Sequence, residues 1–170
     1  MYRDKKVIHI VCTSLDGGIG KDNKLLFNLP PDLKFFREQT MGHVLMMGRK
    51  TVDSLPKPLD RRAVLCVSNH YSDEYESYRL TESYLYANLM SNQLNTDKIF
   101  ICGGSQLYSS TFDVTDELWV TQVASDIDAD VFYNIPDDFC MFEEGNWLEH
   151  VNPVGEVLTY RFTKWKRKGE

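Results

Sequence analysis

One acidic residue stands in a setting that suits chemistry. Asp32 follows Leu29 and two prolines, and proline favours the first turn of a helix because its missing N–H would be unpaired there. On a helix from residue 31 to about residue 40, Asp32, Phe36 and Thr40 share one face. The residues alone allow a solvated acid favoured by the helix dipole, or a half-buried acid beside a ligand. A buried carboxylate needs a donor-rich partner, and a flat heterocycle with an amidine-like edge would be one.

The segment before this helix has the pattern of a buried strand and a loop. Residues 7–13 form a short β-branched run, which is typical of a strand covered on both faces. We expect residues 14–28 to form no regular structure, because glycines interrupt them and Asp and Asn residues favour turns.

Two later strands run directly into turns that could bind phosphate. Residues 44–47 predict a strand followed by the basic turn 48–51 and a short helix. Residues 98–102 predict another, followed by Gly103-Gly104 and a helix over residues 106–111. Backbone N–H groups at a helix start bind phosphate, and glycine allows a close approach of the backbone. A solvated basic turn explains the first pattern equally well, and a glycine pair alone is weak support.

The remaining segments predict an α/β fold with a mixed, mostly parallel sheet flanked by about four helices. Further strands are predicted at residues 63–67, 117–124 and 131–133, a covering helix at 82–92, and an antiparallel strand pair at the sheet edge within 140–166. We interpret residues 70–81 as mostly loop, with room for one short strand.

Composition favours one globular domain. The chain has 170 residues, of which 42% are hydrophobic, which is enough for one core and short for two. The net charge of −6 argues against a nucleic-acid surface, and we interpret the basic residues 164–168 as a solvated strand end. The first residues lack the apolar core of a signal peptide, and no apolar run approaches a membrane span. We therefore expect a single domain over residues 1–170, in the cytoplasm and without a membrane partner.

The cysteines and histidines predict neither a disulfide nor a metal site. None of the four cysteines shows C-x-x-C spacing, and the first three lie in apolar runs, as expected of small buried side chains in a reducing compartment. The four histidines form no ligand pattern, so we expect no metal.

Four motifs together resemble dihydrofolate reductase, in the order and at about the spacing of that family. They are IGKDNKLLFNLPPDLKFF at 19–36, VLMMGRKTVDSL at 44–55, LDRRAVLCVS at 59–68 and IFICGGSQLY at 99–108. The resemblance covers essentially the whole chain and implies an eight-stranded sheet. It also implies NADPH-dependent reduction of 7,8-dihydrofolate to tetrahydrofolate, by hydride transfer to C6 and protonation at N5, which supports one-carbon metabolism and thymidylate synthesis. The expected partners are dihydrofolate and antifolate inhibitors, and the expected state is a monomer.

The resemblance implies a catalytic group of Asp32, Thr121 and Phe27. Asp32 would orient the 2-amino and N3–H edge of the pterin and favour N5 protonation by its charge, with the proton coming from water. Thr121 would hydrogen-bond this acid, and Phe27 stands where the family usually has tryptophan. Arg62 would pair with the α-carboxylate of the glutamate tail. The substrate-binding residues implied are Ile10, Val11, Cys12, Asp32, Leu33, Phe36, Leu55, Arg62, Cys102 and Thr121.

The same resemblance implies where NADPH binds. Arg49 and Thr51 would meet its 2′-phosphate, a cis Gly103-Gly104 peptide its pyrophosphate, and Tyr108 its nicotinamide. The cofactor-binding residues implied are Cys12, Ile19, Gly20, Gly48, Arg49, Lys50, Thr51, Ser68, Asn69, Cys102, Gly103, Gly104, Ser105, Gln106, Leu107 and Tyr108. Residues 14–28 would form a lid that Asp130 holds closed by accepting backbone hydrogen bonds. The chain departs from the common bacterial pattern at Leu26, Phe27, Cys102, Ser105 and Val131.

Two alternatives remain open at this point. A related NADPH-dependent reductase of the riboflavin pathway shares the fold but should lack the acid after the two prolines and Arg62. A nucleotide-binding or assembly protein on a reductase scaffold is the other. Oxidation of NADPH by dihydrofolate separates all three.

Overall fold

The computed structural model describes residues 4–70 and 76–170, and the chain divides into two compact units. The first unit comprises Met1–His9 and Glu38–Asp116, and the second comprises Ile10–Arg37 and Glu117–Glu170. The elements in chain order are β1 (Lys6–Ser14), β2 (Gly18–Lys21), β3 (Lys24–Leu25), α1 (Pro30–Thr40), β4 (Val44–Gly48), α2 (Arg49–Ser54), β5 (Ala63–Val67), β6 (Ser77–Tyr78), α3 (Leu80–Gln93), β7 (Lys98–Ile101), α4 (Ser105–Thr111), a 3-10 turn (Phe112–Val114), β8 (Glu117–Val123), β9 (Val131–Phe132), β10 (Phe139–Glu144), β11 (Leu148–Val151) and β12 (Val157–Arg167).

The first unit is built on parallel strands in the order β1-β7-β4-β5-β6. Ile8, Leu45, Met46, Phe100 and Ile101 are fully buried in it. Parallel strands covered on both faces require such continuous apolar runs, which is why the sequence pattern located them.

The second unit is built on strands in the order β10-β12-β8-β1, with β11 pairing beside β10 along β12. The prediction of a single antiparallel pair within residues 140–166 was therefore incomplete, since three strands lie there. Gly145 explains the interruption between β10 and β11. Its N–H donates to the Phe162 carbonyl at 2.8 Å, and a Cβ there would lie 2.9 Å from that oxygen. Only glycine lets the chain pass so close to β12 at the point where it changes strand.

The prediction that residues 14–28 form no regular structure was wrong. Strands β2 and β3 form a hairpin, and β2 also pairs with β9 to give a three-stranded sheet in the second unit. Asp22 and Asn23 have φ values of 52° and 62°. Two successive left-handed residues form the tight turn that joins twisted antiparallel strands. The Asp-Asn pair is therefore the turn of a β-hairpin and not part of an irregular loop.

The basic residues at the end of β12 are also more than a solvated strand end. The Lys164 ammonium lies 4.4 Å from the centre of the Trp119 ring and 3.4 Å from a Glu143 carboxylate oxygen. Lys166 and Arg167 cover the rings of Phe142 and Phe139. The charged groups of these side chains therefore lie over aromatic rings, and their aliphatic parts cover aromatic surface.

The fold class is confirmed: the chain is α/β, and its described residues form parallel strands, four helices and antiparallel strands toward the C-terminal end. Counting β1 once, the two strand orders contain eight strands, with β11 in addition. Within the segment interpreted as mostly loop, β6 occupies Ser77–Tyr78 and α3 begins at Leu80, while residues 71–75 lie outside the described residues. Among described residues, no helix is both long and apolar enough to cross a membrane.

The first unit contains a fully buried histidine, His9 in β1, next to the end of α4. His9 is fully buried, its Nε2 lies 2.7 Å from Thr111 Oγ1, and the rings of Tyr108 and Phe112 pack at 5.1 and 4.8 Å. Burial lowers the pKa of His9 from 6.5 to about 3.

This pKa makes folding stability depend on pH. Between about pH 6.5 and pH 3 the unfolded chain binds a proton at His9 that the folded chain does not, so stability falls as pH falls. From neutral pH to pH 5 the expected loss from His9 is about 2 kcal/mol, which urea unfolding of the parent and of His9→Gln would measure as a difference. If His9→Gln does not fold, NMR titration of the parent decides. A His9 ring signal that titrates near its unfolded pKa would contradict the prediction.

Candidate active site

The carboxyl group of Asp32 is the centre of a small polar cluster in the second unit. Thr121 in β8 donates from Oγ1 to Asp32 Oδ1 at 2.6 Å, and the Cys12 thiol in β1 makes a further side-chain hydrogen bond to it. The carbonyl oxygen of Leu29 accepts hydrogen bonds from the N–H groups of Asp32 and Leu33 at 2.9 and 3.1 Å. Because Leu29 is 2% exposed, it fixes the first turn of α1 and aims Asp32 at the sheet.

The electrostatics of the cluster decide between the two interpretations of Asp32. Burial raises the pKa of the Asp32 carboxyl, and the hydrogen bonds from Thr121 and Cys12 oppose part of that rise. Burial, together with the Asp32 charge, raises the pKa of the Cys12 thiol, so Cys12 acts as a neutral donor. Asp32 is thus a half-buried acid rather than a solvated one.

Aromatic packing holds the helix that carries Asp32. Phe35 stacks on Phe162 of β12 with ring centres 4.4 Å apart, and it also packs against Trp119 at 6.4 Å. These three anchors were not among the sequence-predicted site residues. The signal was present in the alternation along β12, which places Phe162 on the face shared with Tyr160.

The predicted apolar wall is only partly assembled in the second unit. Ile10 and Val11 are buried in β1, and Phe36 is half-buried on α1. Leu33 is 56% exposed. Phe27 packs with Cys12 against the buried cluster of Leu29, Val123 and Tyr160. Its ring has no polar group to offer Asp32, so its contribution here is packing.

Hydrogen bonds fasten the base of the hairpin that follows β1. The Ser14 hydroxyl accepts from the Gly18 N–H at 2.9 Å and donates to the Asp16 carboxylate. The Tyr133 N–H donates to the Gly17 carbonyl at 2.7 Å. A Cβ on Gly18 would lie 2.7 Å from the Ala129 side chain, so the approach requires glycine. Sequence reasoning missed Ser14 and Tyr133.

Asp130 binds this hairpin through two hydrogen bonds. Its Oδ2 accepts from the Asp22 N–H at 3.1 Å, and its own N–H donates to the Gly20 carbonyl at 3.0 Å. The backbone hydrogen bond expected of this acid is therefore present. Lys21 of β2 lies 3.0 Å from Asp128, in the loop before β9. Ile19 and Gly20 of β2 are buried.

Glycines bring the ends of two strands together in the first unit. The Gly48 N–H donates to the Gly103 carbonyl at 2.7 Å, and the Gly103-Gly104 peptide is cis, as the resemblance implied. Gly103 has φ +108°, and a Cβ on it would lie 3.4 Å from Thr51 Oγ1 and 3.6 Å from Tyr108 Oη. Glycine thus leaves room beside the Thr51 hydroxyl that a side chain would fill. A bare backbone cradle of this kind fits a phosphorylated nucleotide.

Cations and hydroxyls lie near this cradle in sequence. Arg49 is 44% exposed, with Asp53 at 3.9 Å, and Lys50 is exposed. Two exposed partners at that distance attract each other weakly. Ser68, after β5, is half-buried and accepts from the His70 N–H at 3.0 Å, and Asn69 is exposed.

The other predicted residues of the first unit differ in exposure. Leu107 and Tyr108 are buried, Leu55 and Ser105 are half-buried, and Gln106 is exposed. Burial raises the pKa of the Cys102 thiol. All four cysteines are free, and the described residues contain no cluster of His, Cys, Asp or Glu that could hold a metal ion.

Comparison with known proteins agrees with these features. A family model described as dihydrofolate reductase matches residues 6–167. The chain belongs to the dihydrofolate reductase family. It is 35% identical over 124 residues to a dihydrofolate reductase of Haemophilus influenzae, covering 73% of this chain and 76% of that protein. A Bacillus subtilis dihydrofolate reductase is 33% identical over 76% of this chain and 72% of that protein. A dihydrofolate reductase of Enterococcus faecium is 31% identical over 89% of this chain and 91% of that protein.

Membership of this family makes the chain an NADPH-dependent oxidoreductase that reduces dihydrofolate to tetrahydrofolate. The predicted family, reaction and cofactor are thereby confirmed. Two elements of the motifs that carry the resemblance, the acid after the prolines and the glycine pair after β7, each lie in a defined structural setting.

Replacing Asp32 with Asn should stabilise the protein without ligands and lower its turnover. The folded-state pKa of Asp32 is raised, so its ionisation at neutral pH costs stability that a neutral amide does not. The gain should be largest near neutral pH and shrink as pH falls toward the unfolded value of 3.8, where Asp32 itself becomes protonated. Urea unfolding at several pH values measures it, with Asp137→Asn in an exposed loop as the control.

The same variant should lose most turnover at neutral pH and regain part of it as pH falls, because solution protons then replace the missing charge effect at N5. Near-normal turnover at neutral pH would contradict the role of Asp32. A stability gain that did not vary with pH would contradict its raised pKa.

Proposed function

We propose that this chain reduces 7,8-dihydrofolate with Asp32 as the group that binds and polarises the pterin. The observation that carries the proposal is a half-buried carboxyl that a hydroxyl and a thiol hold in place. When bound, NADPH supplies the hydride that C6 receives. The rest of the reaction depends on what the protein does to the pterin ring.

Asp32 supplies orientation and charge. A carboxylate accepts hydrogen bonds from the 2-amino and N3–H groups of a pterin side by side, which fixes the ring plane. Its negative charge in a half-buried setting favours a proton at N5, and the proton itself comes from water. Thr121, at 2.6 Å, holds the carboxyl in one rotamer, and Cys12 adds a second donor.

Apolar side chains limit water around this acid. Ile10, Val11, Phe36 and Leu33 line the pterin, and Phe27 supports them from the cluster around Leu29. Leu33, which is 56% exposed, is the residue of this group that ligand binding would cover most. Loss of water strengthens the interaction of Asp32 with the ring.

Several residues of the first unit are proposed to receive the cofactor. Arg49, Lys50 and Thr51 meet the 2′-phosphate, and Gly103 and Gly104 present a bare backbone to the pyrophosphate. Ser68 and Asn69 face the adenosine. Arg49 gives preference for NADPH over NADH, because only the former carries the phosphate.

We further propose that the chain acts as a monomer and one functional domain, in the cytoplasm, where it supports one-carbon metabolism. Antifolate inhibitors that present a 2,4-diamino edge should bind at Asp32, because a protonated ring and a carboxylate form a charge-assisted pair.

The test is oxidation of NADPH by dihydrofolate, followed as loss of NADPH absorbance. Turnover with dihydrofolate and none with the substrate of the riboflavin-pathway reductase supports the proposal. Tight NADPH binding without turnover of either substrate would favour a binding protein instead.

Arg49→Ala should weaken the binding of NADPH by about 10- to 150-fold and the binding of NADH far less, because charged hydrogen bonds contribute roughly 1.5 to 3 kcal/mol. Fluorescence titration with both cofactors measures the two losses. Lys57→Ala, an exposed cation in the loop after α2, is the matched control and should change neither. Equal losses for NADPH and NADH would refute the pairing.

Asp130→Ala should slow hydride transfer and weaken NADPH by about two- to tenfold, because the hairpin loses one hydrogen bond that holds it. Dihydrofolate binding should stay nearly unchanged. The control is Asp126→Ala, which removes an exposed acid from the same loop. Single-turnover kinetics with deuterated NADPH measures the hydride step. An unchanged rate in Asp130→Ala would mean that this contact does not govern closure.

A further inference from the structure

The guanidinium group of Arg62 already has protein partners at all three nitrogens. Its Nη2 lies 3.1 Å from Asp60 Oδ1, and its Nε donates to the Asp60 carbonyl oxygen at 2.9 Å. Its Nη1 reaches Thr40 Oγ1 at 3.4 Å. The Arg62 side chain is 3% exposed, whereas that of Asp60 is 56% exposed. The arginine is therefore covered, and its acidic partner faces solvent.

The local backbone explains this arrangement. Arg61, between the two residues, has a φ of 52°, in the left-handed region, and its carbonyl accepts from the Gly42 N–H at 2.8 Å. The turn at Arg61 brings both the carbonyl and the carboxylate of Asp60 onto Arg62. The Arg61 side chain is 74% exposed, and its Nε lies 3.6 Å from the other carboxylate oxygen of Asp60, Oδ2.

We propose that Asp60 sets the affinity for the carboxylate end of the substrate by competing with it for Arg62. This inference rests on the proposed function, in which Arg62 pairs with the glutamate tail of dihydrofolate. A bidentate pair needs two parallel N–H groups of the guanidinium. Three of the five N–H groups of the guanidinium already have partners, two on Asp60 and one on Thr40, so the substrate carboxylate has one N–H on each terminal nitrogen to bind and shares the positive charge with the Asp60 carboxylate.

A second effect of Asp60 works in the opposite direction, because the acid also holds Arg62 in position. Two of the three hydrogen bonds do not involve the Asp60 carboxylate, since one ends on its carbonyl oxygen and one on Thr40. They survive replacement of Asp60 by Asn. The orientation of Arg62 therefore persists, while the competing charge and its repulsion of the anionic tail are lost.

The magnitude follows from the exposure of the acid. Exposed ion pairs change equilibria by up to about fivefold, and charges at the rim of a site act mainly through long-range attraction or repulsion. Asp60→Asn should thus tighten dihydrofolate by about two- to fivefold, and the gain should shrink at high salt.

The experiment compares two ligands with the same ring. Calorimetry in the presence of NADP⁺, which prevents turnover, measures binding of 7,8-dihydrofolate and of 6-methyl-7,8-dihydropterin, which lacks the glutamate carboxylates. The proteins are the parent, Asp60→Asn, Asp60→Glu, which keeps the charge, and Asp137→Asn, which removes the same charge from the loop after β9. Arg62→Leu, with and without Asp60→Asn, completes a double-mutant cycle.

The expected result is tighter binding of dihydrofolate to Asp60→Asn only. The affinity for the dihydropterin should stay unchanged, and Asp60→Asn should give no gain in affinity when Arg62 is replaced by Leu. Weaker dihydrofolate in Asp60→Asn would show that Asp60 serves to position Arg62, and an equal change for both ligands would remove the glutamate tail from the explanation. Either outcome overturns the inference. If the parent oxidises NADPH with dihydrofolate but Asp60→Asn binds dihydrofolate as tightly as the parent does, the inference about Asp60 fails and the proposed function stands. If the parent has no such activity, the proposed function fails with it.

Discussion

Burial of the Asp32 carboxyl is the constraint that organises the second unit. A carboxylate withdrawn from water loses several kcal/mol of hydration unless donors replace the lost water. Here the donors are a threonine hydroxyl from β8 and a cysteine thiol from β1, both neutral. Neutral donors compensate only in part, so the pKa of Asp32 stays raised. The packing of the second unit thus maintains an acid whose charged form is only partly compensated by its two donors.

Apolar packing at the start of α1 offsets the cost of burying the Asp32 carboxyl. Leu29 and Phe35 anchor the two faces of the helix start, one in the cluster with Val123 and Tyr160 and the other on Phe162. Full burial of one large apolar side chain contributes about 1.5 to 3 kcal/mol, comparable to the cost of one imperfectly paired polar group. Packing of this kind can fix a carboxyl in a setting that it would otherwise avoid.

The sequence predicted the elements whose signal is local. Continuous apolar runs located β1, β4 and β7, and two prolines located α1, because burial on both faces and a fixed φ leave few alternatives. The hairpin of β2 and β3 was missed, because Asp22 and Asn23 were read as loop residues although paired left-handed residues form a tight hairpin turn. Strand β11 was missed because its separation from β10 depends on the close approach of Gly145 to Phe162, which lies 17 residues later in the sequence.

The sequence predicted which residues belong to the candidate site better than it predicted the contacts that they make. The residue pattern indicated Asp32, the family resemblance implied Thr121, and the hydrogen bond between them is present. The thiol donor of Cys12 was not foreseen, since a cysteine inside an apolar run has the same pattern whether or not it meets an acid. The pairing of Arg62 with Asp60 was also missed, because two arginines after an acid do not show which of them is covered and hydrogen-bonded to that acid. That depends on the backbone conformation of Arg61.

Both arginines that we assign to anionic ligand groups have an acid beside them, and the geometry separates the two cases. Asp53 lies 3.9 Å from Arg49, with both side chains nearly half exposed, so solvent screens the pair and a phosphate with two charges would outcompete it. Asp60 lies within hydrogen-bond distance of a covered Arg62. Competition therefore matters more at Arg62, where the incoming group has a single charge and the same carboxylate chemistry as the group that it must replace.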